Sequence, residues 1–339
     1  MMVIVLRPQV SAEQTKQVLT AIQEGGHTGY QAGPSTIVVP KNDVHLEASL
    51  ASLPQVEQVM AIDSPYPLAS RAFKKEDTVI DVRGHIIGGD KVTVMAGPCS
   101  VESLDNLLEI AETVKAAGGQ FLRGGAFKPR SSPYSFQGHG EEGLKMLAIA
   151  RDKTGLGIIS EVMEPDKVAL VSEYVDILQI GARNMQNYPL LREAGKSGKP
   201  VMLKRGLSGT VDEWLMAAEY ILAQGNPNVI LCERGIRTFE TATRNTLDLN
   251  AVPVVQSLSH LPIIVDPSHG TGKSAFVRPM ARAGVAAGAS GVIVEIHPTP
   301  AKAWSDAAQT LDFDEFRALV DDVERISAAL SASRPLVHA

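Results

Sequence analysis

The sequence predicts two units in series: a small ferredoxin-like βαββαβ unit over residues 1 to 65, and an α/β unit of the (β/α)8 barrel type over 91 to 330. Three observations predict this. The chain has 339 residues, more than one hydrophobic core usually supports, since single cores stop growing near ~250 to 300 residues. From residue 92 onward, short runs rich in branched apolar residues alternate with helical patterns eight times, which calls for a parallel sheet. The first 62 residues read β-α-β-β-α-β instead, the split βαβ order. An open doubly wound sheet is the alternative for the larger unit.

In the small unit, residues 2 to 6 (MVIVL) form the first strand. Ser11 with Gln14 three positions later makes a capping box for a helix whose Val18, Leu19 and Ile22 share a face, ended by Gly25-Gly26. Short strands at 28 to 32 and 36 to 40 flank a Gly33-Pro34 turn. Asp43 opens a second helix to about Leu53, and 56 to 62 is the last strand. Residues 66 to 90 connect the units: Pro65, Pro67 and the Lys74-Lys75-Glu76-Asp77 cluster fall within 63 to 77 and mark the linker, and a hairpin follows at 79 to 87 around Arg83-Gly84. That hairpin precedes the first barrel strand, so it is expected to close the barrel's N-terminal end. The eight strands are placed at 92 to 97, 120 to 123, 157 to 162, 177 to 181, 201 to 204, 229 to 233, 262 to 266 and 291 to 296, and residues 331 to 339 are a tail.

Composition narrows the class. Apolar residues make up 44% and charged residues 21%, with no apolar run long enough to span a bilayer and no signal-peptide pattern, so a membrane location is not expected. Two cysteines, Cys99 and Cys232, are too few for a disulfide framework and suit a reducing cytoplasm. A formal net charge of −6 argues against a broad nucleic-acid surface, so any anion must be met locally.

The chemistry collects where the strands end. Cys99, Arg123 with Lys128 and Arg130, Glu161, Arg183, Lys204, Arg234, Asp266 with His269, and Glu295 with His297 follow successive strands, and in a barrel that edge is the active-site face. Phe121, Ile159, Gln179, Met202, Cys232, Ile264 and Ile293 share the inward face and should form layers beneath this polar rim. Arg123, Lys128, Arg130, Arg183, Lys204 and Arg234 bring cations suited to phosphate and carboxylate groups, although each could instead pair with Glu161, Glu233 or Asp266. Arg205 and Arg237 are read as structural. Cys99, His269, Glu295 and Asp306 offer a thiolate, an imidazole and two carboxylates, a mixed shell for a divalent first-row metal. Cys232 is read as packing.

At these residues the chain resembles the type I beta class of 3-deoxy-D-arabino-heptulosonate 7-phosphate (DAHP) synthases, over about residues 65 to 330. The motifs are AGPCSVES (96 to 103), LRGGAFKPRSSPYSFQG (122 to 138), QIGARNMQN (179 to 187), LKRG (203 to 206), LCERGIRTFE (231 to 240), VDPSHG (265 to 270) and VEIHPTPAKAWSDAAQTL (294 to 311). The resemblance implies that Cys99, His269, Glu295 and Asp306 hold Mn2+, or Fe2+, Co2+ or Zn2+. It assigns phosphoenolpyruvate to Arg123, Lys128, Glu161, Ala182, Arg183, Lys204 and Arg234. It assigns erythrose 4-phosphate to Pro129, Arg130, Ser131 and Ser132, with Asp266 near the aldehyde end. Lys128, His269 or a metal-bound water could then move the protons.

It also implies a cytoplasmic homo-oligomer, a tetramer, whose N-terminal unit binds tyrosine or phenylalanine and shuts off the barrel. Thr299, the SDA at 305 to 307 and VVPKND at 38 to 43 depart from common family residues. Two rival readings are 3-deoxy-octulosonate 8-phosphate synthesis from arabinose 5-phosphate, and an amino-acid sensor with a non-catalytic barrel.

Overall fold

The computed structural model describes residues 1–128, 134 and 136–333. The N-terminal unit runs β1 (Met2–Leu6), α1 (Ala12–Glu24), β2 (Tyr30–Gln31), β3 (Thr36–Val39), α2 (Val44–Ala51) and β4 (Val56–Ala61). Its sheet has the order β2-β3-β1-β4, with β1 antiparallel to both neighbours, as the split βαβ order requires. Ser11 and Gln14 form the expected reciprocal cap on α1, and Asp43 Oδ1 accepts from His45 N and Leu46 N at the start of α2. Strand β2 is shorter than expected because only Tyr30 and Gln31 pair, at an exposed edge.

Strand β1 is buried on both faces. Met2, Ile4 and Leu6 pack with Val18, Ile22, Leu46 and Leu50 in the small unit's own core, whereas Val3, with Ala32 and Ile62, joins the apolar layer that surrounds the barrel. At Gly33, in the turn before β3, a Cβ would lie 2.7 Å from Gly225 Cα, so the two backbones touch there only because both residues lack side chains.

The hairpin β5 (Ile80–Val82) and β6 (His85–Ile87) leads into the barrel strands β7 (Thr93–Gly97), β8 (Phe121–Arg123), β9 (Gly157–Glu161), β10 (Ile177–Ile180), β11 (Val201–Lys204), β12 (Val229–Glu233), β13 (Ile263–Val265) and β14 (Gly291–Glu295). These eight close on one another in sequence order, all parallel, with β14 pairing β7. Each expected strand is present to within a residue or two. Around them lie α3 (Leu104–Ala116), α4 (Glu141–Thr154), α5 (Val168–Tyr174), α6 (Tyr188–Lys196), α7 (Val211–Leu222), α8 (Ala251–Leu258), the short α9 (Pro267–Thr271), α10 (Ser274–Ala286) and α11 (Phe313–Ser333). No helix of the described residues is long and apolar enough to cross a membrane.

Met95, Phe121, Ile159, Ile177, Met202, Ile230, Cys232, Ile264 and Ile293 fill the interior, and Ile80, Val82 and Ile87 of the hairpin join the same cluster. The hairpin therefore closes the end where the strands begin. Cys232 is packing, as its surroundings in the sequence suggested. The connector is fastened to α7: Tyr66 Oη donates to Asp212 Oδ1 (3.0 Å), and the two oxygens of Glu219 accept from Leu68 N and Ala69 N (3.0 and 2.9 Å).

Candidate active site

A pocket of about 240 Å³ opens at the C-terminal ends of the strands, lined by Arg123, Lys128, Glu161, Gln179, Gly181, Ala182, Arg183, Lys204, Arg234, Arg244, His269 and Asp306. Six of these twelve are Arg or Lys and two are carboxylates, in a chain that is acidic overall. The local excess of positive charge suits a small polyanion.

Geometry explains how so many cations coexist. Arg123, the last residue of β8, donates to Glu295 Oε1 (2.8 Å) and Pro98 O (3.0 Å); Lys204, ending β11, donates to Asp266 Oδ2 (2.6 Å). Burial disfavours the Arg123 cation, but Glu295 more than compensates and holds it charged. Arg234 differs. It is buried and, among the described residues, has no carboxylate within ion-pair distance; its guanidinium donates to Gly235 O at 3.4 Å. Burial lowers its pKa, so it is the cation that a bound anion would relieve most. Arg183 lies exposed at the mouth of the pocket, in a 3-10 turn after β10.

Below these cations lies a second group. One ligand atom each from Cys99, Glu295 and Asp306 fall within 4.8 Å of one another. Cys99 Sγ donates to Asp306 Oδ2 (3.0 Å) and accepts from Lys128 Nζ (3.0 Å), which also donates to Cys99 O (2.8 Å). His269 stands beside this trio rather than inside it: Nε2 is 3.4 Å from Glu295 Oε1, and Nδ1 lies 2.8 Å from Asp266 Oδ2. Asp266 caps α9 through His269 N, so the VDPSHG turn itself places the imidazole.

The charges suit a cation. Burial pushes the Cys99 thiol up to about 12, and the Glu295 charge adds to this, so without a cation it stays protonated; a bound divalent metal reverses that balance. Burial would also raise Glu295 and Asp306, yet His269 and Arg123 hold Glu295 below its ordinary value. The Cys99 hydrogen bond and Arg244 bring Asp306 down to about 2. Burial lowers His269 against the pull of Asp266, keeping a ring nitrogen free to donate its lone pair. One thiol, one imidazole and two ionised carboxylates therefore fit a divalent transition metal.

All seven residues assigned to phosphoenolpyruvate line this one pocket. Asp266 is buried just beneath it. Pro129, Arg130, Ser131 and Ser132 lie outside the described residues. His297, expected on the rim, is buried behind it, where Nδ1 accepts from Thr299 N and Nε2 faces Glu102 Oε2 (3.3 Å) and Asn106 Nδ2 (3.0 Å). Strand β14 ends at Glu295, so the alternation that would have turned His297 inward does not continue. Arg205 spans Glu233 and Asp248 at 2.9 and 2.8 Å, as a structural residue would.

Sequence reasoning missed three pocket residues and one supporting group. Arg244 donates to Asp306 Oδ1 (3.0 Å) and Gln309 Oε1 (2.8 Å), and Gln309 donates to Glu295 Oε2 (2.6 Å). Gln179 reaches Glu161 at 3.4 Å, and any side chain at Gly181 would collide with Glu161 Oε1. Gln179 was placed on the inward face, which is the signal that could have found it.

Residues 72–330 match the sequence profile described as the DAHP synthetase I family. A phospho-2-dehydro-3-deoxyheptonate aldolase of Thermotoga maritima is 48% identical over 333 residues, covering 97% of this chain and 98% of that protein. A 2-dehydro-3-deoxyphosphooctonate aldolase of Caulobacter vibrioides is 30% identical, covering 80% of this chain and 100% of that protein. A crystal structure of the Thermotoga maritima heptonate aldolase, DAHP synthase, superposes with a TM-score of 0.79 at 47% identity, over 97% of this chain and 98% of that one. A truncated form of the Thermotoga maritima synthase covers 79% of this chain and 98% of its own, with a TM-score of 0.75 at 50% identity. The octonate likeness is the more distant, and so does not favour the octulosonate rival. The chain belongs to the DAHP synthetase I family.

Proposed function

We infer that the chain is an enzyme that condenses phosphoenolpyruvate with erythrose 4-phosphate and water to give 3-deoxy-D-arabino-heptulosonate 7-phosphate and inorganic phosphate, the first step toward the aromatic amino acids. One observation carries the reading: six cationic side chains converge over the Cys99, Glu295 and Asp306 trio at the mouth of a parallel barrel. Purified protein given Mn2+, phosphoenolpyruvate and either erythrose 4-phosphate or arabinose 5-phosphate should release phosphate with the first sugar. Preference for the second would overturn the reading.

Cys99, His269, Glu295 and Asp306 would hold the divalent metal, Mn2+ ahead of Fe2+, Co2+ or Zn2+. When bound it supplies a Lewis acid for the aldehyde oxygen. The chain's own residues do the rest. Arg123, Arg183, Lys204 and Arg234 hold the carboxylate and phosphate of phosphoenolpyruvate, so that its methylene carbon faces the aldehyde carbon. Arg234 contributes most differential binding, because its buried charge has no carboxylate partner among the described residues until the substrate arrives. Pro129, Arg130, Ser131 and Ser132 receive the sugar phosphate, and Asp266 lies toward its aldehyde end. Lys128 and His269 would move protons as water adds at the enol carbon and phosphate leaves.

Residues 1 to 65 serve regulation in this reading. They have an apolar core of their own and contribute no side chain to the pocket. Tyrosine or phenylalanine, bound between these units in a cytoplasmic homotetramer, would stabilise a state with the barrel mouth covered; typical couplings of about 1 to 3 kcal/mol give roughly 5- to 150-fold inhibition. Removing residues 1 to 65 should abolish inhibition while turnover remains. Insensitivity of the full chain to both amino acids would contradict it.

A further inference from the structure

Trp304 has no part in the site as described so far. Trp304 is 54% exposed, yet both its ring and its backbone are held. Phe136 meets it edge-on, with ring centroids 5.0 Å apart and planes at 89°, and His139 lies 6.0 Å away. Its backbone N–H donates to Glu102 Oε1 (2.7 Å), while Glu102 Oε2 faces His297 and the Glu102 carbonyl bonds His139 Nε2 (3.0 Å). Three rim segments therefore meet at one residue: the β7–α3 loop through Glu102 on the Trp304 backbone, the end of the β8–α4 connection through Phe136 and His139 on its ring, and the β14–α11 loop through Trp304 itself.

The first of these segments carries Cys99 itself, and the other two lead to groups touching its Sγ. Two residues beyond Trp304, Asp306 adopts a left-handed backbone (φ 54°, ψ 30°) and reaches Cys99 at 3.0 Å, while the intervening Ser305 Oγ is 2.7 Å from Ser100 Oγ. A left-handed Asp is uncommon and must be held by its surroundings. On the other side, Gln137 follows Phe136, and its carbonyl accepts from Lys128 N (2.9 Å), fixing the backbone whose side chain reaches Cys99 Sγ at 3.0 Å. We propose that Trp304 is a positioning residue: packed edge-to-face against Phe136, it sets the spacing of Asp306 and Lys128 about Cys99, and so preorganises the metal end of the pocket for its cation.

The proposal rests on the metal reading above, and the two fail differently. In metal-stripped full-length protein, Mn2+ affinity is measured by electron paramagnetic resonance, alongside the KM of each substrate at saturating Mn2+. Trp304→Ala should weaken Mn2+ binding roughly 3- to 10-fold, the size of one aromatic pair. The phosphoenolpyruvate KM should change less than the Mn2+ affinity, since of the cations assigned to that substrate the pair is coupled to Lys128, whereas Arg183, Lys204 and Arg234 come from strands it does not touch. Phe136→Ala should reproduce the effect, the double variant should be no worse than either single one, and Trp304→Phe should recover most of the affinity. Unchanged Mn2+ affinity in both single alanine variants, multiplying effects in the double variant, or a Trp304→Phe as weak as the alanine would overturn the proposal. If Cys99→Ala also binds Mn2+ normally, it is the metal reading that has failed.

Discussion

The two ends of the barrel are built from the same eight strands and could hardly differ more. Where the strands begin, Ile80, Val82 and Ile87 of the hairpin seal an apolar interior with Phe121, Ile177 and Ile230. Where they end, Arg123, Lys204, Glu233, Arg234, Asp266 and Glu295 are buried with their charges. The first arrangement removes apolar surface from water and stabilises the fold; the second desolvates ions, which costs stability unless each finds a partner. Arg234, the one left without a carboxylate among the described residues, marks the end that is kept for binding.

If the two ends divide binding from stability, variants should separate along that line. The largest effect on turnover is expected from Cys99→Ala, which should lower Mn2+ affinity and turnover more than about 100-fold with little change in melting temperature, since supporting residues alone commonly change such sites 10- to 100-fold. Wild-type metal content in that variant would remove Cys99 from the ligand set. Arg234→Ala should raise the phosphoenolpyruvate KM about 10- to 150-fold, the equivalent of about 1.5 to 3 kcal/mol for a charge-assisted bond, and Arg130→Ala should do so chiefly for erythrose 4-phosphate. Equal effects of Arg130→Ala on both substrates would refute that assignment. At the other end, Ile87→Ala should cost about 2 to 5 kcal/mol of stability and leave turnover per folded molecule unchanged; a fall in kcat without a fall in melting temperature would blur the division.

The smallest effect concerns the connector. Burial raises the Glu219 carboxyl to about 7 from its ordinary 4.5, the bonds from Leu68 N and Ala69 N opposing only part of this. A group that titrates higher in the fold than in the unfolded chain takes up a proton on folding between those values. Its contribution is therefore complete below about pH 4.5 and lost as pH rises through about 7, on the order of 3 kcal/mol in all. Melting temperatures between pH 5 and 7.5 should fall more steeply for the wild type than for Glu219→Gln, which does not titrate. Parallel slopes would show that Glu219 is ionised throughout.

Much of this architecture was legible in the sequence because strands leave a periodic trace: branched apolar runs, each followed by a polar residue, located all eight. The caps at Ser11 and Asp43 were legible because their bonds span three residues. Contacts made across the chain leave no such trace. Glu219 meets Leu68 across 151 positions, and nothing distinguishes it in the sequence from a solvated helix glutamate. Arg244 comes from an irregular stretch between β12 and α8, 62 positions from Asp306, and Trp304 looks like one more residue of a loop. His297 misled for the opposite reason, since a strand pattern was extended past the point where pairing stops.

The central claim is that the thiol, imidazole and carboxylates at the strand ends serve a divalent cation on which condensation depends. The most direct measurement is phosphate release from phosphoenolpyruvate and erythrose 4-phosphate by protein stripped of metal, before and after Mn2+ is added back, with Cys99→Ala in parallel. The account predicts no turnover in stripped protein, recovery with Mn2+ in the wild type, and no recovery in Cys99→Ala. Full turnover in the stripped wild type would contradict it.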